Sequence, residues 1–165
     1  MTGDEIDLVR QVLRYEASTG KMYWTSTVCR NRPAGTEAGH LHLKGHIVIQ
    51  VNKKRYMAHR LAWLLHHGKE PSGDVDHING NPADNRIENL RDVTKQINQQ
   101  NRRSAQKNNQ SGLLGASLHK KTGRWAAQIK LPSGTNRYLG LFDTAEQAHH
   151  AYLSAKRQIH EGCTI

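Results

Sequence analysis

The sequence predicts an α+β chain built in two small parts, and three observations carry that prediction. Around residues 74–107, DVDHINGNPADNRIENLRDV and the run after it read as strand, polar loop, strand and helix. Farther on, LLGASLH, RWAAQIKL and RYLGLF are short apolar-alternating runs separated by the turns KKTG and PSGTN. They precede TAEQAHHAYLSAKRQIHEG, where Ala145, Ala148, Ala151, Tyr152, Ala155 and Ile159 recur at helical spacing.

The elements follow in order. Residues 5–15 place Ile6, Val9, Val12 and Leu13 on one helical face. EASTGKMYW is a turn leading into a strand that ends near Trp24, and residues 26–44 are loop-rich. GHIVIQV and RYMA are two strands joined at Asn52-Lys53-Lys54. HRLAWLLHHG is a short helix closed by Gly68. Thr94 caps a helix that runs to about Lys107 and bears Lys95, Arg102, Arg103 and Lys107. QKNNQSG reads as a linker, and the expected division is a domain over 1–107, a linker over 108–112 and a domain over 113–165. Trp24, Trp63, Leu139, Leu141, Phe142 and Tyr152 are assigned to the core, while His66 and His67 are placed at a solvated helix end.

Composition narrows the function. The two cysteines, Cys29 and Cys163, are far apart with no CxxC pair, which excludes a cysteine-built zinc site. The expectation is a protein of the cytoplasm with no membrane partner, since no 18-residue apolar span and no leader pattern is present. Charge is uneven along the chain. Residues 1–93 carry 13 basic and 11 acidic side chains, whereas residues 94–165 carry 11 basic and 3 acidic ones. Nine Lys and Arg lie between Thr94 and Phe142 with no carboxylate among them, which suits a polyanionic partner.

The chemistry concentrates at Asp76-His77. A calcium loop is excluded: with Gly80 as its sixth position, Val75 and Arg86 would fill the first and last ligand places. The Asn79-Gly80 pair reverses the chain after His77. A strand–loop–strand–helix unit can then aim the Asp76 carboxylate, the His77 imidazole and the Asn98 amide toward one space. A hard dication takes oxygen ligands and leaves places for phosphate. A neutral imidazole beside it can accept a proton from water.

These residues, D-H-I-N-G-N, D-N-R-I-E-N-L-R and Q-I-N-Q-Q-N, resemble the HNH endonucleases, especially those of phages and mobile introns. The resemblance extends upstream through AHRLAWLLHHG and covers roughly residues 5–107. It implies a small ββα-metal nuclease domain with its core over 72–107. It also implies Mg²⁺ or Mn²⁺ held by Asp76 and Asn98, His77 as general base, and Asn89 bracing the loop that presents it. Asn101 is the alternative ligand and Asn85 the alternative brace; His59 and Arg60 match the upstream stretch and read first as structural contacts.

Residues 111–162 resemble the APETALA-two DNA-binding domain, through G-A-S-L-H, G-R-W-A-A-Q-I and Y-L-G-L-F-D-T-A-E-Q-A. That resemblance implies a three-stranded antiparallel sheet backed by a helix and laid in the major groove. Leu114 and Ser117 stand where the plant domains carry arginines. The expected DNA contacts are Arg124, Trp125, Gln128, Lys130 and Arg137, with Lys120 and Lys121 of the turn and Arg102 and Arg103 upstream. The function these resemblances imply is metal-dependent hydrolysis of DNA phosphodiesters by a phage homing-type enzyme. It would act on double-stranded DNA as a monomer without a nucleotide cofactor. The rivals are a DNA-binding regulator with a relic HNH fold and an RNA-binding module, the latter disfavoured by few exposed aromatics.

Overall fold

The computed structural model describes residues 1–27, 29, 30, 32–106 and 108–165. They divide into two compact units, Met1–Val93 and Thr94–Ile165. Both mix helices with small antiparallel sheets, an α+β arrangement.

In the first unit, Thr2 and Glu5 form a reciprocal capping box that starts α1 (Gly3–Val12). The helix expected over 5–15 ends at Val12, because Leu13 turns extended and opens β1 (Leu13–Glu16), paired antiparallel with β2 (Lys21–Trp24). Leu13 is buried in the same core as Val9, so apolar spacing alone ran the helix past its end. Next come β3 (His40–Leu41), β4 (Ile47–Val51) and β5 (Lys54–Met57), in sheet order β3-β4-β5. The β4–β5 loop is two residues long, one fewer than expected. Asn52 and Lys53 both take positive φ, 44° and 64°, and Lys54 already pairs with Val51.

Helix α2 (Ala58–His67) is closed by Gly68 at φ 70°, as its position in the sequence predicts. A two-stranded ladder follows, β6 (Asp74–His77) against β7 (Leu90–Val93), with a 3-10 turn over Ile87–Asn89. Val75 of β6 and Leu90 of β7 share one buried core with Leu61 and Leu64 of α2 and with Val9, Met22 and Trp24. That apolar layer fixes the ladder, so the polar residues that alternate with Val75 are held in place without contributing to it.

The β1–β2 hairpin supports the loop between the ladder strands. Tyr15 donates its hydroxyl to the Asn85 carbonyl at 2.8 Å, and Ile87 N–H donates to Ala17 O at 3.3 Å. Gly20 lies in the hairpin turn at φ +75°, and a Cβ there would stand 2.5 Å from Arg86 N and 2.6 Å from Asn85 C. Gly20→Ala therefore combines left-handed strain, of order 1–3 kcal/mol, with a clash against backbone. Chemical denaturation should show a lowered midpoint, and an unchanged one would mean the hairpin does not bear on that loop.

The second unit begins with α3 (Lys95–Gln100), N-capped by Thr94 as expected. It ends at Asn101 rather than near Lys107; Lys107 itself lies outside the described residues. Two contacts replace further helical turns. Lys156 Nζ donates to Arg102 O at 2.5 Å, and the Asn101 Oδ1 accepts from Thr164 Oγ1. The division between the two compact units falls between Val93 and Thr94, before α3. Gln96 donates to Pro132 O and Gln100 accepts from Gly162 N–H, so α3 packs with the carboxy-terminal residues.

Strands β8 (Ala116–His119), β9 (Arg124–Lys130) and β10 (Asn136–Phe142) form an antiparallel sheet in the order β10-β9-β8. Helix α4 (Ala145–Ile159), with a Thr144–Gln147 capping box, packs on it. The buried centre is Ala116, Ala127, Ala145 and Ala148, small side chains that let helix and sheet approach closely. Leu139 and Phe142 pack against that centre; Leu141 and Tyr152 are half-buried.

Candidate active site

Strand β6 ends where chemistry begins. Asp76 and His77 are 7% and 6% exposed, opposite Arg91 and Leu90 in the ladder. Arg91 donates Nε and Nη2 to Asp76 Oδ2 at 3.0 and 2.8 Å. The cross-strand register thus places a cation against the carboxylate and fixes its rotamer.

His77 Nε2 lies 3.1 Å from Asn85 Oδ1, while Asn85 Nδ2 donates to Ala83 O. The amide oxygen therefore faces the ring, and Nε2 carries the proton. The lone pair then resides on Nδ1, the nitrogen able to act as base. Burial pushes the His77 pKa below the ordinary imidazole value, and the Asn85 bond and the Asp76 and Asp84 charges offset part of that. The ring is neutral at pH 7.

The asparagines between the ladder strands tie the loop to itself. Asn89, buried, accepts from Asn79 N–H at 2.9 Å and donates Nδ2 to Asp84 O at 2.7 Å. Its carbonyl accepts from Ile78 N–H, and Gly80 N–H donates to His77 O in the turn that follows the strand. Asp84 accepts from Arg86 Nε and Nη2 and from Asn79 Nδ2, and these bonds, Arg86 first, hold its carboxyl down to about 2. The twelve-residue loop 78–89, whose apolar residues are Ile78, Pro82, Ala83 and Ile87, is held largely by side-chain amides.

Asn85 and Asn89 divide the bracing between them: Asn89 shapes the loop and Asn85 contacts the imidazole. Any reaction that uses the His77 imidazole as base should slow by ~10–100-fold in Asn85→Ala, the scale seen when an imidazole loses its orienting partner. A base works when neutral, and the lowered pKa keeps the His77 ring neutral into more acidic solution than an ordinary imidazole. Losing the Asn85 bond removes a raising influence, and the acid limb of the pH–rate profile should move further down. A profile that kept its limb would take Asn85 out of this role.

Two more histidines reach the same place. Ring centroids are 5.0 Å apart for His59–His77, 5.5 Å for His46–His59 and 6.0 Å for His46–His77. His59 stands in the first turn of α2 and its Nδ1 is buried without a hydrogen-bond partner among the described residues. Burial, then the neighbouring His77, His46 and Arg60, pushes its pKa down to about 3. His46 precedes β4 and is also lowered, by burial first. Sequence reading passed over His46, because 46, 59 and 77 follow no motif spacing and only the fold assembles them. Arg60, by contrast, donates to Gly73 O and steadies the turn before β6.

Asn98 lies on α3 in the second unit. Asn101 is buried and its amide oxygen is taken by Thr164. Arg103 donates to Thr164 O and Oγ1, while Arg102 is exposed just after the helix.

On the β8–β10 sheet the alternation decides which groups are available. Trp125 shares its face with Ala127 and Ile129 and packs, half-buried, against the alanine core. Arg137 pairs with Ile129 and so falls on that same parity, although it is exposed. The opposite face presents Arg124, Gln128, Lys130, Ser117 and Tyr138, the last 61% exposed and not foreseen. Arg124 is held by Asp143 Oδ1 at 3.0 Å. Lys120 and Lys121 are exposed in the β8–β9 turn. A groove of about 710 Å³ in this unit is lined by Lys95, Gln96, Arg102, Lys130, Tyr152 and His160 among others, and it includes no carboxylate.

No helix of the described residues is long and apolar enough to cross a membrane. No curated protein and no solved structure matches the chain. Residues 56–100, from Tyr56 of β5 through α2, β6 and β7 to the end of α3, match the family model of the HNH endonucleases, and this nuclease signature encloses Asp76, His77, Asn85, Asn89 and Asn98.

Proposed function

We propose that the chain is a divalent-metal-dependent endonuclease of double-stranded DNA, of the phage homing type, that nicks one strand as a monomer. The observation carrying this reading is the buried, neutral His77, its tautomer held by Asn85, beside the Asp76 carboxylate inside the HNH-matching segment. His77 Nδ1 accepts a proton from the attacking water. The imidazolium that forms is stabilised by the Asp76 and Asp84 charges, which act on His77 in that direction. Arg91 holds the carboxylate in one rotamer, and Asn89 keeps the 78–89 loop from relaxing.

The donor chemistry fits a hard dication. Asp76 is a carboxylate, the oxygen donor that Mg²⁺ and Mn²⁺ prefer, and Arg91 fixes its rotamer through Oδ2. Asn98 would supply an amide oxygen by the HNH resemblance, a role for which Asn101 is poorly suited because Thr164 occupies its oxygen. Such an ion, when bound, supplies charge stabilisation to the scissile phosphate and the departing oxygen.

We assign DNA holding to the second unit, on the acid-free stretch from Thr94 to Phe142 and the exposed polar sheet face with Arg124, Gln128, Lys130 and Tyr138. If Lys130 contacts a phosphate, Lys130→Ala should flatten the slope of log K against log salt by about 0.9. Filter binding over a salt series reads this, and an unchanged slope would remove Lys130 from the interface. The experiment for the activity is strand-resolved mapping of ends on a DNA library with Mg²⁺ or Mn²⁺. The expected products are nicks bearing 5′-phosphate and 3′-hydroxyl. DNA binding without any cut at any metal concentration would leave a DNA-binding regulator as the function.

A further inference from the structure

The geometry points to a second kind of metal site, in which His46, His59 and His77 together take a borderline transition-metal ion such as Zn²⁺ and withdraw His77 from catalysis. One nitrogen from each ring can be chosen so that all three lie within 4.8 Å of one another. A tetrahedral zinc with Zn–N of 2.0–2.1 Å needs nitrogens about 3.3 Å apart, so modest ring rotations close the set. The rings come from three separate elements: His46 ahead of β4, His59 in the first turn of α2, and His77 at the end of β6. His59 Nδ1 is buried without a hydrogen-bond partner among the described residues, and an unsatisfied buried nitrogen is costly unless something occupies it. Its position within the triad makes a metal ion the natural occupant.

Ligand chemistry separates this site from the hard-dication site. Three imidazoles favour Zn²⁺, Ni²⁺ or Cu²⁺ over Mg²⁺, which prefers oxygen. A fourth position would remain for water or another ligand, as in three-histidine zinc sites generally. Coordination uses the imidazole lone pair that a general base needs, so filling the triad and proton transfer by His77 exclude each other. The inhibitory half of the inference rests on the base role proposed for His77; the binding half does not.

The experiment uses the full chain, stripped of metal, titrated with Zn²⁺ by calorimetry and with Co²⁺ by visible absorption. One tight equivalent is expected, with Co²⁺ bands of a low-coordinate nitrogen site. His46→Asn and His59→Asn should each weaken that equivalent at least ~10-fold, since losing even an outer-shell partner costs 10–100-fold. His66→Asn, at the exposed end of α2, should leave it intact. Circular dichroism on each variant shows whether the fold is kept, and His46, only half-buried, is the variant expected to keep it. Equal Zn²⁺ binding by wild type and folded His46→Asn and His59→Asn would overturn the site. In the second arm, cleavage in Mg²⁺ is measured against rising Zn²⁺. Wild type should lose activity at the concentration where the tight equivalent fills, and His46→Asn should resist at least ~10-fold more. Tight binding at the triad with no loss of cleavage would overturn the inhibitory half. No cleavage by wild type in Mg²⁺ or Mn²⁺ would overturn it too, through the nuclease reading, and would leave the titration as the test of the site.

Discussion

His77→Ala should abolish most cleavage while leaving a folded protein that still binds DNA. Loss of a general base costs ~10²–10⁴-fold, or about 3–5 kcal/mol of barrier. His77 contributes little to the apolar core, which is carried on the same ladder by Val75 and Leu90, so the fold should survive the truncation. The missing ring also leaves a buried space bounded by Asn85, His46 and His59. Added imidazole should enter it and restore part of the rate, with a pH dependence that follows the added base. A purified, folded variant cleaving within twofold of wild type would show that another group takes the proton.

Asp76→Asn should have the next largest effect, and it should act on two readouts at once. The amide keeps the shape of the carboxylate but loses the charge and presents an N–H on one side. The concentration of Mg²⁺ or Mn²⁺ needed for half-maximal cleavage should rise by at least ~10-fold, because one charged oxygen ligand is replaced by a neutral group. Stability should fall by about 1.5–3 kcal/mol, the scale of a hydrogen bond to a charged group, since the acceptor of both Arg91 bonds loses its charge. Metal titration of cleavage and denaturant unfolding separate the two. A stability loss with an unchanged metal requirement would make Asp76 a structural partner of Arg91 and nothing more.

Local chemistry was legible in the sequence wherever one residue decides one feature. Thr94 caps α3, Gly68 closes α2, and the Asn52–Lys53 reversal makes a hairpin, because each depends on its immediate neighbours. The Asp76-His77 pair and the asparagines after it were also readable, since a motif of spaced polar groups cannot be mistaken for a core pattern. What escaped depends on distant partners. Helix α3 ends where Lys156 and Thr164, more than fifty residues on, take the Arg102 carbonyl and the Asn101 side chain. That Trp125 lies half-buried beside Ala127 and Ile129 against the alanine core depends on strand pairing and on α4. The His46–His59–His77 triad has no sequence spacing at all, and Asn85 was separable from Asn89 only by the atom each one touches.

The most direct measurement is conversion of supercoiled plasmid by the full chain under three conditions: Mg²⁺, Mn²⁺ and EDTA, each with wild type and folded His77→Ala. The account predicts open-circle product from wild type with either metal, none in EDTA, and a rate at least 100-fold lower for the variant. Equal conversion by wild type and variant, or conversion that persists in EDTA, would contradict it.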